Sequence, residues 1–86
     1  MQIIYTPKAN EDLNFWIKTG NKIILKKLIQ LTEAIIESPF DGIGKPEALK
    51  YDLAGLWSRR INQEHRFVYE ISEKALIIIS LKGHYK

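Results

Sequence analysis

The sequence predicts one α+β domain, ordered βααβββ, in which a mainly antiparallel twisted sheet carries both helices on one face. Three observations predict it. Two adjacent segments, Pro7 to Thr19 and Lys22 to Glu37, place apolar residues at helical spacing. Three runs near the end, Leu56 to Ile61, His65 to Ser72 and Leu76 to Lys82, read as strands joined by the short polar turns "NQE" and "EKA". A sheet covered on one side is the simplest way to bury two helical stripes, and it leaves the other side open to solvent or a ligand. At 86 residues the chain has the length of a single domain spanning 1–86.

Met1 to Tyr5 is a short β-prone run. Thr6 then offers its hydroxyl as a helix N-cap, and Pro7 occupies the first helical position, where its missing N–H costs nothing. Ala9, Leu13, Trp16 and Ile17 form the apolar side of this helix, Gly20 can take the left-handed conformation that ends it, and Asn21 can cap the next. In the second helix Ile24, Leu28, Leu31 and Ile35, flanked by Leu25, Ile29 and Ile36, make a wide stripe. Ser38 and Pro39 end it, because a residue before proline is pushed out of the helical region. "PFDGIGKPEALKYDLAG" reads as a loop with one turn of helix around Glu47 to Lys50, held to the core by Leu49 and Leu53.

Composition narrows the class. Hydrophobic residues at 45 % and charged residues at 27 % fit a globular chain rather than a disordered or membrane one. There is no cysteine, which excludes disulfides and thiolate metal sites, and two histidines make a zinc site a poor expectation. No cofactor or metal is implied. The longest apolar run, Ala75 to Leu81, is too short to cross a bilayer, and the first ten residues lack the pattern of a secretory signal, so a cytoplasmic location is expected. The formal charge is +3, and up to Gly44 five lysines balance five acids, so the whole excess lies from Lys45 onward. That asymmetry suggests a polyanionic partner, with a solvated surface as the plainer alternative. Neutralising about three phosphates of a single strand gives a salt slope of only about −2, so naked RNA would be held weakly.

Strand alternation divides the polar residues between faces. Phe67, Tyr69 and Ile71 suit the core and turn Arg66, Val68 and Glu70 outward. Ile77, Ile79 and Leu81 are assigned to the core, which sends Ser80, Lys82 and His84 to the open face beside Arg66. In "LWSRRI" the more apolar set is Trp57, Arg59 and Ile61, which turns Arg60 outward. A carboxylate on the preceding loop, Glu47, would complete a set able to cleave RNA without a metal. A base removes the 2′-hydroxyl proton, an acid protonates the leaving 5′-oxygen, and cations stabilise the phosphorane. Plainer roles stay open for each residue: Glu47 as the first acid of a helical turn, Arg66 in a surface ion pair with Glu64, His84 in a frayed tail, Trp57 and Tyr69 as core aromatics. His65 belongs to the hairpin.

"SPFDGIGKPEALKYDLAGLWSRRINQEHRFVYEI" together with the terminal His84–Tyr85 closely resembles the YoeB/Txe family of bacterial toxin ribonucleases, a branch of the RelE-like superfamily. The Gly-Lys-Pro-Glu loop, the Trp-Ser-Arg-Arg strand and the final His-Tyr coincide in the family's order. The resemblance implies a RelE-like βααβββ toxin that enters the ribosomal A site, cuts mRNA there to a 2′,3′-cyclic phosphate, and is neutralised by a cognate YefM/Axe-like antitoxin. It implies Glu47 as general base, Arg66 as phosphate-stabilising cation and His84 as general acid, with Lys50, Arg60 and Tyr85 holding the substrate. Gly83 before the histidine and Lys86 after the tyrosine depart from the family's usual ending. The expected partners are the ribosome, mRNA and the antitoxin, with a homodimer open and no membrane. The alternative is a basic module of the same fold that blocks its target without cutting, as the superfamily's gyrase-directed members do.

Overall fold

The structure, a computed structural model, describes residues 1–84. Its elements run β1 (Gln2–Tyr5), α1 (Pro7–Thr19), α2 (Lys22–Glu37), β2 (Glu47–Ala48), β3 (Trp57–Arg60), β4 (Arg66–Ser72) and β5 (Ala75–Ser80). The sheet order is β1-β5-β4-β3-β2, with β1 parallel to β5 and every other pair antiparallel. The α+β class and the order of the two helices and the long strands are as expected.

The caps work as the sequence implies. Thr6 Oγ1 accepts from the Ala9 amide at 3.1 Å and its hydroxyl donates to the Ile79 carbonyl at 2.8 Å, so one side chain starts α1 and ties it to β5. Asn21 Oδ1 accepts from the Ile24 amide at 3.1 Å and starts α2, directly after Gly20 takes a left-handed φ of 66°. Ala9 and Trp16 of α1 and Ile24, Leu28, Leu31 and Ile35 of α2 pack on Phe67, Tyr69, Leu76, Ile78 and Leu81. The α2 stripe is narrower than the sequence suggests, since Ile29 and Ile36 are exposed.

Two local assignments are corrected. Glu47 and Ala48 do not begin a helical turn. They form an edge strand opposite Ser58 and Trp57, the Leu49 amide donating to the Leu56 carbonyl at 2.9 Å prolongs the pairing, and the only helical turn of the loop is 3₁₀, at Tyr51–Leu53. Pro46, which has no amide to offer, suits the entry to such an edge. The phase of β5 is also shifted: Leu76 and Ile78 face the core, while Ile77 and Ile79 do not belong to it. Tyr69 pairs with Ile78 but Val68 pairs with Ser80, so Ile79 is an extra residue in a bulge, and the change of parity returns Leu81 to the core. Val68, turned outward by alternation, lies fully buried outside the main cluster.

The long loop is held by Arg59, whose side chain is fully buried. Its guanidinium donates to Tyr69 Oη at 3.1 Å and to the carbonyls of Ile43 at 3.2 Å, Ser38 at 2.6 Å and Asp41 at 2.8 Å. Tyr69 Oη in turn donates to the Pro39 carbonyl at 2.7 Å. Gly44 passes so close that a Cβ there would meet Leu31 Cδ2 at 2.9 Å, at a φ of 84° that disfavours any other residue.

Arg59→Ala strands these acceptors and should lower unfolding stability by about 3 kcal/mol, read from urea denaturation. Burial pushes the Tyr69 phenol above its ordinary value, opposed by the hydrogen bond and charge of Arg59. The folded state therefore keeps this proton where the unfolded chain, near its ordinary value of about 10, begins to lose it. Stability should fall as pH rises through that value, and Tyr69→Phe, costing about 1 kcal/mol at neutral pH, should flatten that decline in pH-dependent denaturation curves.

Candidate active site on the open sheet face

The residues on the face away from the helices follow from register. Directly opposed residues of antiparallel strands project to the same side, and Glu47 of β2 opposes Ser58 of β3 while Arg60 of β3 opposes Arg66 of β4. These four side chains, together with Lys45, Pro46 and His84, line one cavity of about 420 Å³. The sequence-derived residues Glu47, Arg60, Arg66 and His84 are thus brought together. Lys50 is exposed beside the 3₁₀ turn and does not line the cavity, and Tyr85 lies outside the described residues. Lys45 and Ser58 were not singled out from sequence. For Ser58 the signal was there, since alternation puts it on the same side as Arg60.

Arg66 is oriented by the turn before it. Its Nη1 donates to the carbonyls of Asn62 at 2.8 Å, Gln63 at 3.2 Å and His65 at 3.2 Å, which turns Nη2 toward His84 Nε2, 3.4 Å away. Arg66 is engaged with turn carbonyls rather than Glu64: the ion pair found among the described residues is Lys8 with Asp12. Because a guanidinium only donates, His84 Nε2 faces it as an acceptor in this arrangement.

His84 reaches this place although β5 ends at Ser80. The Leu81 amide donates to the buried Asp12 carboxylate at 2.9 Å, and the Leu81 carbonyl accepts from Trp16 Nε1 at 2.9 Å. Two residues on, the Gly83 carbonyl accepts from the Arg66 amide at 2.9 Å. Gly83 has a φ of 96°, so its place in the sequence is where the tail turns toward the cavity. His84 is exposed but follows a bonded residue.

The cavity's charge is one-sided. Lys45, Arg60 and Arg66 face a single carboxylate, Glu47, and the directly opposed Arg60 and Arg66 repel. Lys45 itself has a φ of 52°, a left-handed conformation that costs a lysine about 1 kcal/mol. A second cavity of about 450 Å³, between the helices and the sheet, is lined chiefly by Leu13, Leu25, Leu28, Phe67 and Ile78 and carries only Glu33 as a charge. Of these two cavities, the one on the open face brings a carboxylate, a histidine and three cations together. Among the described residues no cluster of three His, Cys, Asp or Glu side chains could hold a metal ion.

The fold defines the class: a small RelE-like α+β domain. The architecture superposes on the YoeB/ParE toxin from Agrobacterium tumefaciens with a TM-score of 0.95 at 41 % identity, covering 99 % of this chain and all of that one. Residues 5–85 match the family described as YoeB-like toxin of bacterial type II toxin-antitoxin system, and the chain belongs to that family. It is 49 % identical over 86 residues to a Synechocystis toxin YoeB, covering 100 % of this chain and 99 % of the relative. YoeB of Staphylococcus aureus, solved as a dimer (TM-score 0.90, 41 % identity) and in complex with YefM (0.89, 42 %), is matched over 99 % of this chain and 98 % of that one in both cases.

Relieving the Arg60–Arg66 repulsion should be visible without any substrate. Arg60→Gln is expected to raise stability by about 0.2–0.5 kcal/mol at low ionic strength, an advantage that shrinks as salt is added to a thermal melt.

Proposed function

We propose that this chain is a ribosome-dependent endoribonuclease, the toxin of a type II toxin-antitoxin pair, that cuts mRNA in the ribosomal A site and so inhibits translation. The observation that carries the reading is the convergence of Glu47, Arg66 and His84 on one open cavity with two further cations. Glu47 takes the proton of a 2′-hydroxyl, and the freed oxygen attacks the adjacent phosphorus. Arg66, assisted by Arg60, stabilises the charge of the phosphorane. His84 protonates the 5′-oxygen as the P–O5′ bond breaks. The products are a 2′,3′-cyclic phosphate and a 5′-hydroxyl, and no water enters this step. Lys50 and Tyr85 are proposed to hold the substrate beyond the cavity.

The donor set fits chemistry without a metal. One carboxylate offers a hard divalent cation too few oxygen ligands, whereas three cations already supply the charge such an ion would bring. The modest charge of +3 supports dependence on the ribosome, which would present the strand that the domain binds weakly alone. The likeness to S. aureus YoeB supports a YefM-like antitoxin and a homodimer as partners. No helix among the described residues is long and apolar enough to cross a membrane, in keeping with action in the cytoplasm.

Translating ribosomes carrying a defined mRNA, with new ends mapped by primer extension, give the test. Glu47→Gln and His84→Ala should each slow cutting by roughly 10²- to 10⁴-fold, and Arg60→Gln should do so less. Undiminished cutting by both of the first two variants would sink the mechanism. Arrest of translation by an intact wild-type protein that leaves the mRNA uncut would favour a module that only blocks.

A further inference from the structure

His65 stands outside the cavity lining, yet it is half-buried and its ring is committed on two sides. One edge packs against the Trp16 indole, with centroids 4.9 Å apart at 77°. Its Nδ1 accepts from the Gly83 amide at 3.0 Å. Accepting there requires a bare Nδ1 and therefore a proton on Nε2, the tautomer opposite to the one His84 needs to accept from Arg66. The His65 backbone is fixed as well, its amide donating to Asn62 Oδ1 at 2.8 Å and its carbonyl accepting from the Ile61 amide at 3.0 Å.

We infer that His65 is a positioning residue for His84, acting through the Gly83 amide. The geometry leaves the tail few other supports. Strand pairing with β4 stops at Ser80, and Asp12 and Trp16 hold only Leu81. Gly83, whose φ of 96° belongs to a residue with wide conformational freedom, is then gripped from both peptide groups by consecutive residues: the His65 ring on its N–H and the Arg66 amide on its carbonyl. The same two residues thus set the His84 backbone, and Arg66 also meets its imidazole. Releasing the N–H leaves Gly83 tethered by one bond and free to rotate about it, which moves the His84 ring off Arg66. Displacement of a reacting group by about 1 Å can cost on the order of 10² in rate.

The catalytic consequence rests on the endoribonuclease reading, but the positional claim does not. His65→Asn and His65→Gln separate the two. Both lose the Trp16 contact, but only asparagine places an acceptor oxygen where Nδ1 stood. With purified full-length protein, the Gly83 amide proton resonance and the His84 ring resonances should stay near their wild-type positions in His65→Asn and move in His65→Gln. On translating ribosomes, His65→Gln should lower kcat by about 10- to 100-fold with KM changed less than about 2-fold, and His65→Asn should recover most of that loss. Equal losses in the two variants, or unmoved Gly83 and His84 resonances in His65→Gln, would overturn the inference. Should the wild type not cut RNA, the enzymatic reading fails and the resonances still decide the positioning.

Discussion

A guanidinium buried without a carboxylate is the constraint on which the rest of this molecule depends. Arg59 is fully enclosed, and its charge is met by the Tyr69 hydroxyl and three carbonyls of the segment after α2. A buried charge is tolerable only when its hydrogen bonds are made, so the chain from Ser38 to Ile43 must close around β3. Once it does, Gly44 is forced against Leu31 and β3, and its carbonyl accepts from the Arg60 amide at 2.6 Å. Lys45, Pro46 and Glu47 then have one place to go, along the free edge of β3. The position of the site's carboxylate is therefore set by a residue that never touches the cavity.

The cavity itself runs against the fold's own stability. Two arginines oppose each other across β3 and β4, a lysine holds a left-handed backbone, and one carboxylate stands among three cations. None of this helps the chain fold. All of it favours an anion entering between β2 and the tail, which is how local departures from sequence–structure consistency point to function. The low net charge sharpens the point: most of the chain's cations are balanced by acids, whereas among the described residues no ion pair engages Lys45, Arg60 or Arg66.

The helices were legible because each of their signals is local. Thr6–Pro7, Gly20–Asn21 and Ser38–Pro39 are caps and stops read within four residues. The pairing of Arg66 and Arg60 on the open face was legible for the same reason, since alternation in β3 and β4 is regular. β5 misled because "ALIIISL" is apolar on both faces, and the parity of such a run cannot be read without knowing where it bulges. Alternation still brought His84 to the open face. The actual cause is different, because the chain past Ser80 is no longer strand but a tail held by α1 and β4. The β2 edge was missed because its two residues pair with β3 across the 3₁₀ turn, and no local pattern in "GKPEALK" distinguishes that from a helical turn.

The two groups assigned to proton transfer share a structural logic that the cations do not. Arg60 and Arg66 project from paired strands of the sheet, so their Cα positions are fixed by the ladder. Glu47 arrives on a two-residue edge strand whose approach Arg59 dictates, and His84 on a tail gripped at Leu81 by side chains from α1 and at Gly83 by the His65 ring from the turn before β4. Phosphate charge can be stabilised by cations over a range of approach, because Coulomb attraction falls slowly with distance. Proton transfer tolerates far less, needing hydrogen-bond contact. On the proposed mechanism, the five-stranded sheet fixes the tolerant part of the chemistry and polar side-chain clamps fix the intolerant part. Asp12, Trp16, Arg59 and His65 are then understood together: each engages polar backbone groups of a segment that the regular hydrogen-bond ladder does not reach.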